Sequence, residues 1–333
     1  LSLNSVSIIE VDNKMSLKVI WQHLCCLFIF GTVFKGAHWA YCALKTAKKL
    51  CKENQYDAII TKNSPSELLG SYFKKKKGYK WIATWNDPYP TKKYPKPYGN
   101  GVTAKLFILE SPLLNLMEKA DYHIFPNQRI RDYMRSYLNI PSEKTRIIPH
   151  VVIPREHHDT PHENLRIVHL GNLLPPRDAT PFLRALTEFN KNEKDAKLEI
   201  AFIGQTPQSV KDFVNTTHLE KYVKVFPPVK YKESQQILES YDIQLIVEAP
   251  CEEGIFLPTK VSDSMQLGKP IFTISPSVGV LNDLYKQGHI SYFSSVQNEK
   301  NILSTLRQIY KDFTNGKIKS FSLEKSYSPR TIV

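Results

Sequence analysis

The stretch from Glu252 to Pro270, EEGIFLPTKVSDSMQLGKP, decides how the rest of the chain is interpreted. It begins with two acidic residues and a glycine, and it continues through an apolar loop. Thr259 stands where a helix N-cap belongs, and Gly268 and Pro270 end the helix. The buried-strand pattern IFTI follows at once from Ile271. The stretch therefore predicts a loop, a helix and a strand, with the N-terminus of the helix facing the loop.

The start of this helix has the chemistry of a phosphate site. Free backbone N–H groups and a partial positive charge favour an anion there. Lys260 lies on the first turn, and Asp263 follows one turn later on the same face. A cation beside a phosphate and a carboxylate beside sugar hydroxyls are what a nucleotide-sugar site requires. A capped surface helix with an ion pair between Lys260 and Asp263 would explain the same residues.

The composition indicates a soluble globular protein with two domains, since 333 residues exceed one ordinary core. The formal charge of +13 predicts an anionic partner, such as nucleic acid, an anionic membrane or a phosphorylated ligand. Five cysteines without metal-type spacing favour a reducing compartment and argue against zinc. The apolar stretch 19–34 is too short for a confident membrane span. The chain begins at Leu1, so its start could be incomplete.

Strand patterns and helix patterns alternate along the chain, which predicts parallel sheets covered by helices on both faces. The predicted strands are 5–11, 56–61, 81–84, 122–125, 145–148, 165–170, 198–203, 223–226, 243–247 and 271–274. The predicted helices are 36–52, 64–77, 106–120, 129–137, 180–190, 209–215, 232–240 and 259–268.

The polar stretch from Pro154 to Asn164 has no apolar period and predicts a linker between two domains. Its three histidines lack positioned carboxylates, so we expect no metal site there. In open α/β sheets, ligands bind beyond the carboxyl ends of the strands. Gly171, Gly204 and the loop at Glu252 each follow a predicted strand. We therefore expect them to converge on one site.

The turn after the strand 165–170 reads GNLLPPRD and contains a second phosphate-type feature. Gly171 allows the backbone to approach a ligand closely, and Arg177 is suited to bidentate phosphate contacts. An ordinary turn with an exposed arginine is the alternative. Two independent features of this kind in one half of the chain favour the site.

Two segments resemble motifs of the retaining glycosyltransferases of family 4, which have the GT-B fold. His169–Arg177, HLGNLLPPR, is similar to the family's Gly-(Arg/Asn)-Leu-x-x-x-Lys/Arg segment. Pro258–Pro270, PTKVSDSMQLGKP, is similar to its Pro-x-Lys-x-x-Glu-Tyr-Met-Ala-x-Gly-Lys-Pro segment. The resemblance covers residues 145–290 and is weaker over the first domain. It implies an α/β protein of two Rossmann-like parallel-sheet domains that face a cleft.

The same resemblance implies a division of labour between the domains. Residues 1–155 would form an N-terminal acceptor-side domain, and residues 156–164 would form the linker. Residues 165–310 would form the domain that binds the nucleotide-sugar donor. Residues 311–333 would form a tail or helix that packs back on the first domain.

The resemblance also assigns roles to residues at matching positions. Arg177 would bind the donor diphosphate, and Lys260 would lie close to the phosphates or the transferred sugar. Asp263 would accept hydrogen bonds from the ribose. Glu252 or Glu253 would face the donor sugar, and Glu253 completes the expected catalytic set with Arg177 and Lys260. The other expected donor-binding residues are Gly171, Asn172, Gly254, Ile255, Phe256 and Val229, and Asn86 and Asp87 are expected on the acceptor side.

Several positions depart from the family pattern. Asp263 is one methylene shorter than the usual glutamate, and nine residues rather than seven separate it from Glu253. Asn86 stands where many members have a histidine. These departures leave open a nucleotide-sugar-binding protein without transferase activity, or a nucleotide-sugar epimerase.

Lysines and aromatic residues are interleaved in the first domain, which favours an anionic bilayer surface. The same pattern would suit the binding of single-stranded nucleic acid. It would also arise without any partner, if the lysines belong to a solvated helix end and the aromatic residues are buried in strands. The lysines are Lys74, Lys75, Lys76, Lys77, Lys80, Lys92, Lys93 and Lys96, and the aromatic residues are Tyr79, Trp81, Trp85, Tyr89, Tyr94 and Tyr98.

The resemblance to family 4 glycosyltransferases implies a metal-independent hexosyltransferase that needs no cofactor besides a UDP- or GDP-linked sugar. The expected acceptor is a glycan or a lipid diphosphate, in bacterial polysaccharide or glycolipid synthesis. We expect a cytoplasmic protein, peripheral at the inner face of the plasma membrane. We expect no nucleic-acid partner, because the positive charge by itself is not sufficient support for one.

Overall fold

The computed structural model describes residues 8–11, 18–156, 162–193 and 195–318. The chain forms two compact units. One contains the chain up to Tyr94 and Gly99–Ile148, and the other contains Pro95–Tyr98 and the chain from Pro149 onward. Residues 8–11 form no strand, and the rest of the predicted strand 5–11 lies outside the described residues. Most of the predicted linker, including His157 and His158, and residues 319–333 also lie outside them.

The first unit is built on a parallel sheet of four strands that lie side by side in chain order. Its elements are α1 (Lys18–Phe30), α2 (His38–Glu53), β1 (Ala58–Lys62), α3 (Glu67–Lys77), β2 (Lys80–Thr84), α4 (Pro112–Met117), β3 (Tyr122–Phe125), α5 (Gln128–Arg135) and β4 (Thr145–Ile147).

Trp81 on β2 is central to the packing of the first unit. Its indole is fully buried and donates a hydrogen bond to Thr61 Oγ1 on β1 at 2.8 Å. Gly70 on α3 makes room for it, because a Cβ at Gly70 would lie 2.2 Å from the indole nitrogen. Trp85, directly after β2, is also fully buried. These two indoles belong to the core, so they are not available to a membrane surface as the sequence suggested.

The predicted helix over 106–120 is shorter in the structure. α4 begins at Pro112, which has the fixed backbone that suits a first helical position. Phe107 and Ile108 are exposed, at 61% and 76%, so this apolar run does not form the buried face of a helix. The prediction of a helix over residues 106–111 was therefore wrong.

The second unit contains a six-stranded parallel sheet with helices between its strands. Its elements are β5 (Leu165–Leu170), α6 (Thr180–Asn192), β6 (Leu198–Ile203), α7 (Gln208–Thr216), β7 (Val223–Phe226), α8 (Tyr231–Glu239), β8 (Ile243–Val247), α9 (Thr259–Gln266), β9 (Ile271–Ser275), α10 (Val280–Lys286), β10 (Tyr292–Ser295) and α11 (Glu299–Thr314).

The strand order in this sheet is β10-β9-β8-β5-β6-β7, so the chain changes direction between β5 and β8. From β5 it moves outward to β6 and β7, and it then returns to the other side of β5 with β8. The register pairs of β5 with β8 are Ile167 with Ile243 and Val168 with Gln244. β5 and β6, by contrast, are paired along their whole length. The connections after β5 and β8 therefore leave the sheet in opposite directions, which opens a crevice at their carboxyl ends.

Helices cover this sheet, which explains the continuous apolar strands in the sequence. All residues of β8 and β9 are buried. On one side, Phe182 of α6 lies between Phe202 and Phe272, with ring centroids 6.4 Å from each. α11 packs here too, through the rings of Tyr310 and Phe189 at 5.5 Å. This helix continues to Thr314, past the predicted end of the second domain at residue 310.

Candidate active site

The helix α9 starts one residue earlier than the sequence suggested. Pro258 has the extended backbone of a cap residue, with φ −63° and ψ 134°, and Thr259 is already the first helical residue. The prediction of Thr259 as the N-cap is therefore wrong. Lys260 lies on the first turn, as predicted. Gly268, with φ +59°, follows the end of the helix, which confirms its predicted role.

Two glycines bring three segments of the second unit into close contact. Gly171, directly after β5, has φ +96°, and a Cβ there would lie 3.0 Å from Lys260 Cε. Gly204, directly after β6, has φ +144°, and a Cβ there would lie 2.3 Å from the Gly171 carbonyl oxygen. Asn172 supports this packing by accepting a hydrogen bond from Gln205 N at 3.1 Å. The predicted convergence of Gly171 and Gly204 at the strand ends is thus present in the structure.

Lys260 reaches across the crevice to β5. Its ammonium lies 3.3 Å from His169 Nε2. Burial and the positive charge of Arg177 lower the pKa of Lys260 to about 8, although Glu248 and Asp263 oppose that shift. The amine is therefore largely protonated at neutral pH, in a half-buried position where its charge is poorly screened by water.

Arg177 is paired with an acidic residue that the sequence did not single out. Its Nε donates to Glu248 Oε1 at 3.2 Å, and the two side chains are 30% and 9% exposed. Glu248 follows directly after β8, whereas Arg177 comes from the turn after β5. The ion pair therefore joins the connections on the two sides of the switch point.

Tyr98 completes this cluster. Its hydroxyl donates to Glu248 Oε2 at 2.7 Å and accepts from Ala249 N at 3.3 Å. The guanidinium of Arg177 lies over the Tyr98 ring, 5.6 Å from its centroid. The Tyr98 ring also contacts Phe256 edge-on, with centroids 4.9 Å apart. Arg177 and Glu248 are thus held by contacts on several sides, which limits the conformations of both side chains.

Asp263 and Val229 lie on the other side of α9. Asp263 accepts a hydrogen bond from the Tyr231 hydroxyl at 2.9 Å, and burial raises the pKa of its carboxyl group. The Val229 side chain packs against the buried cluster that contains Val168 and Leu238.

The loop 252–257 is tied to the start of α10. Gly254 N–H donates to the Val278 carbonyl at 2.9 Å, and Val280 N–H donates to the Gly254 carbonyl at 2.8 Å. The N–H of Gly254 therefore donates to the protein itself. Ile255 is fully buried, and Glu253 is half-buried.

Asn86 and Asp87 belong to the first unit. They follow β2, at the carboxyl end of its sheet, and both are half-buried. Asn86 N–H donates to Asn63 Oδ1 at 3.1 Å, which joins the connections after β1 and β2.

Sequence reasoning missed Glu248, His169 and Tyr98 as members of the cluster. The sequence analysis quoted His169 within a motif without giving it a role, and it grouped Tyr98 with aromatic residues expected at a membrane surface. One signal could have found Glu248, because it directly follows a buried strand, as Gly171 does. Tyr98 carried no such signal, since it reaches Glu248 from 150 residues away.

No metal cluster and no membrane-spanning helix occur in the described part of the chain. None of its His, Cys, Asp and Glu side chains form a group of three or more that could hold an ion. Its helices are too short or too polar to cross a bilayer.

Comparisons with known proteins concern the family and the fold of the chain. Residues 27–156 match the family model described as Glycosyltransferase Family 4. No match is found among curated protein sequences. Sucrose-phosphate synthase from Thermosynechococcus elongatus is 14% identical, with a TM-score of 0.61 over 85% of this chain and 72% of that chain.

Two further solved structures have the same fold. The lipopolysaccharide outer core galactosyltransferase WaaB is 14% identical, with a TM-score of 0.55 over 86% of this chain and 77% of that chain. The pneumococcal O-GlcNAc transferase GtfA, solved with UDP and GlcNAc, is 12% identical, with a TM-score of 0.59 over 84% of this chain and 54% of that chain.

The fold is GT-B, as the sequence predicted. The family match confirms the resemblance to family 4 glycosyltransferases, and it falls on the first unit, where the sequence motifs were weakest. The motifs in the second unit and the match in the first are independent of each other. Together they support a glycosyltransferase of GT-B type.

Proposed function

We propose that the protein is a retaining glycosyltransferase that uses a UDP- or GDP-linked sugar and needs no metal. The observation that carries this proposal is the position of Arg177 and Lys260. They approach the switch point between β5 and β8 from opposite sides, beside the first turn of α9. Open α/β sheets bind their ligands at this place, and two cations with a helix N-terminus suit a diphosphate.

The proposed chemistry needs fixed positive charge. The bond between the sugar's anomeric carbon and the diphosphate oxygen breaks, and the acceptor hydroxyl forms a new bond on the same face. The proton of that hydroxyl passes to the departing phosphate. Arg177, Lys260 and the N–H groups of α9 would stabilise the negative charge that develops on the diphosphate.

The remaining assignments belong to the same proposal. Asp263, on the second turn of α9, would accept hydrogen bonds from the ribose. Gly171 and Asn172 would lie along the phosphates, and Glu253 with the loop to Phe256 would face the sugar. Val229 would lie near the base, while Asn86 and Asp87 would line the acceptor side.

Calorimetric titration with UDP and GDP tests the donor site. We expect micromolar binding of one nucleotide by the wild-type protein, and loss of that binding in the double variant Arg177→Ala with Lys260→Ala. Arg184→Ala with Lys191→Ala is the matched control, because both residues are exposed on α6 and the same charge is removed. Failure of the wild type to bind either nucleotide would contradict the proposal.

Turnover assays with the matching nucleotide sugar separate the alternatives. Transfer to a panel of glycan and lipid-diphosphate acceptors, with the donor's anomeric configuration kept in the product, is expected. Donor binding without transfer to any acceptor would favour a non-catalytic binding protein. Conversion of the donor's sugar without an acceptor would favour an epimerase.

A membrane-bound acceptor is part of the proposal, because the first unit exposes a compact group of cations. Lys75, Lys76, Lys77 and Lys80 are exposed, whereas Lys74 pairs with Asp121 at 2.7 Å. We place the enzyme in bacterial polysaccharide or glycolipid synthesis, peripheral at the cytoplasmic face of the membrane.

A further inference from the structure

His169 has no role in the chemistry described above, yet its ring connects the two strands at the switch point. It lies near the end of β5 and is 1% exposed. Its Nδ1 lies 3.1 Å from the Leu245 carbonyl oxygen on β8. Its Nε2 lies 3.3 Å from Lys260 Nζ. One buried imidazole thus touches β5, β8 and α9.

These two contacts determine where the proton of the ring lies. A carbonyl oxygen can only accept a hydrogen bond, so Nδ1 carries the proton and donates to Leu245. In the neutral ring Nε2 then has a free lone pair, which accepts from the Lys260 ammonium. Burial and the charge of Lys260 hold the pKa of His169 well below its ordinary value of 6.5, so the ring stays neutral.

Lys260 needs such an acceptor because its surroundings do not otherwise fix it. The titratable and charged groups near its ammonium are Arg177 from the turn after β5, Glu248 after β8, Asp263 on α9 and His169 on β5. Arg177 repels it, while Glu248 is bonded to Arg177 and Tyr98, and Asp263 is bonded to Tyr231. Gly171 leaves the path along which the lysine stem reaches His169.

We propose that His169 is a positioning residue, which holds the Lys260 ammonium through Nε2 so that its other N–H groups face the donor diphosphate. The part that concerns the diphosphate rests on the proposed function. An ammonium group has three donors, and one of them is taken by His169. A neutral acceptor orients the ammonium group and leaves its positive charge in place, whereas a carboxylate would neutralise that charge.

The reactivity of Lys260 tests the positioning without any nucleotide. The protein is pulsed with acetic anhydride at several pH values, and acetylation of Lys260 is measured by mass spectrometry. In His169→Phe the ring shape stays but the acceptor is lost, so the pH of half-maximal acetylation should fall by about one unit. His169→Gln restores an acceptor and should return the midpoint to the wild-type value. An unchanged midpoint in His169→Phe would overturn the proposal.

His123→Phe is the matched control for this measurement. His123 is also a fully buried histidine, but it lies on β3 of the first unit beside Trp85. Its replacement removes a buried imidazole hydrogen bond elsewhere, so it reports any general loss of stability. We expect no change in the acetylation midpoint of Lys260 in this variant.

A double-mutant cycle with UDP or GDP then tests the part that concerns the donor. His169→Phe should weaken the binding of the preferred nucleotide by about tenfold, as for a lost hydrogen bond to a charged group. In a Lys260→Ala background it should have almost no effect, because it acts through the lysine. Equal losses in both backgrounds would show a merely structural role and overturn the proposal. Absence of nucleotide binding by the wild type would refute the donor site, while the acetylation midpoint would still decide whether His169 positions Lys260.

Discussion

Glu67 is a carboxyl group that the first unit keeps almost entirely away from water. It is the first residue of α3, and only 1% of its surface is exposed. Burial raises its pKa from 4.5 to about 7. A raised pKa means that the folded state favours the protonated form more strongly than the unfolded state does. The cost of ionising Glu67 is absent below about pH 4.5, grows as the pH rises to about 7, and is constant above that.

We therefore expect Glu67→Gln to stabilise the protein above about pH 4.5, with the full effect reached above about pH 7. The amide has nearly the same shape and cannot ionise, so the free energy of unfolding should rise by about 3 kcal/mol at pH 8. At pH 4.5 the difference from the wild type should vanish. Urea unfolding at both pH values measures this, with the exposed Glu143→Gln as control. A gain of equal size at both pH values would contradict the assigned cause.

The residues of the candidate site differ in how far the sequence could predict them. Arg177 follows a predicted strand, and Lys260 lies on the first turn of a predicted helix. Local sequence patterns were therefore enough to predict that both belong to one site. The partners Tyr98 and His169 depend on contacts between distant parts of the chain, which no local pattern contains. The sequence therefore predicted the cations of the site but not the groups that hold them.

At the scale of elements, the turns after β5 and β6 depend on a contact between two backbones. The Cα of Gly204 faces the Gly171 carbonyl, and a side chain at residue 204 would meet backbone rather than a movable group. Backbone atoms cannot shift without disturbing the strands that carry them. The position of Gly171 beside Lys260 thus depends on a glycine in the neighbouring turn.

Gly204→Ala should consequently destabilise the second unit and weaken nucleotide binding. Gly288→Ala is a matched control, because Gly288 also has a positive φ, +81°, but has open space around its Cα. The control should lose about 1 kcal/mol from backbone strain alone, whereas Gly204→Ala should lose at least about 2 kcal/mol more. Urea unfolding and calorimetry with UDP and GDP measure both effects. Equal losses in the two variants would show that the close contact between residue 204 and the Gly171 carbonyl does not affect stability or nucleotide binding.

The strands were predicted better than the helices, for a physical reason. β3, β5, β6, β7 and β8 have the predicted bounds. β5, β6 and β8 are buried almost throughout, because helices cover both faces of the sheet and such strands have largely apolar sequences. Helix signals are weaker where apolar residues stay exposed, as at 106–111. β10, α10 and α11 were not predicted, and β10 lacks a continuous apolar pattern because two of its four residues are serines.

At the scale of the whole molecule, only part of the net charge of +13 is available to an anionic partner. Several lysines of the predicted cluster are committed to the fold. Lys92 pairs with Glu110 at 3.0 Å, and Lys93 is buried. The exposed lysines that remain for an anionic surface are Lys75–Lys77 and Lys80, at the end of α3 and the start of β2, and Lys96 in the second unit.

Binding to lipid vesicles should depend on these lysines. Replacing Lys75, Lys76 and Lys77 by Ala should weaken binding to anionic vesicles by about tenfold or more, because each lysine near such a surface contributes about 1 kcal/mol. Neutral vesicles should bind neither protein. The matched control replaces Lys221, Lys300 and Lys311 of the second unit, which removes the same charge. Equal weakening by both sets would assign the effect to net charge rather than to this group.

The short pairing between β5 and β8 has a consequence for the spacing of these strands at their carboxyl ends. Beyond Val168 and Gln244 the two strands are no longer paired through their backbones, and side chains such as His169 fill the space between them. The spacing of the two strands there is therefore set by the packing of side chains and not by a backbone ladder.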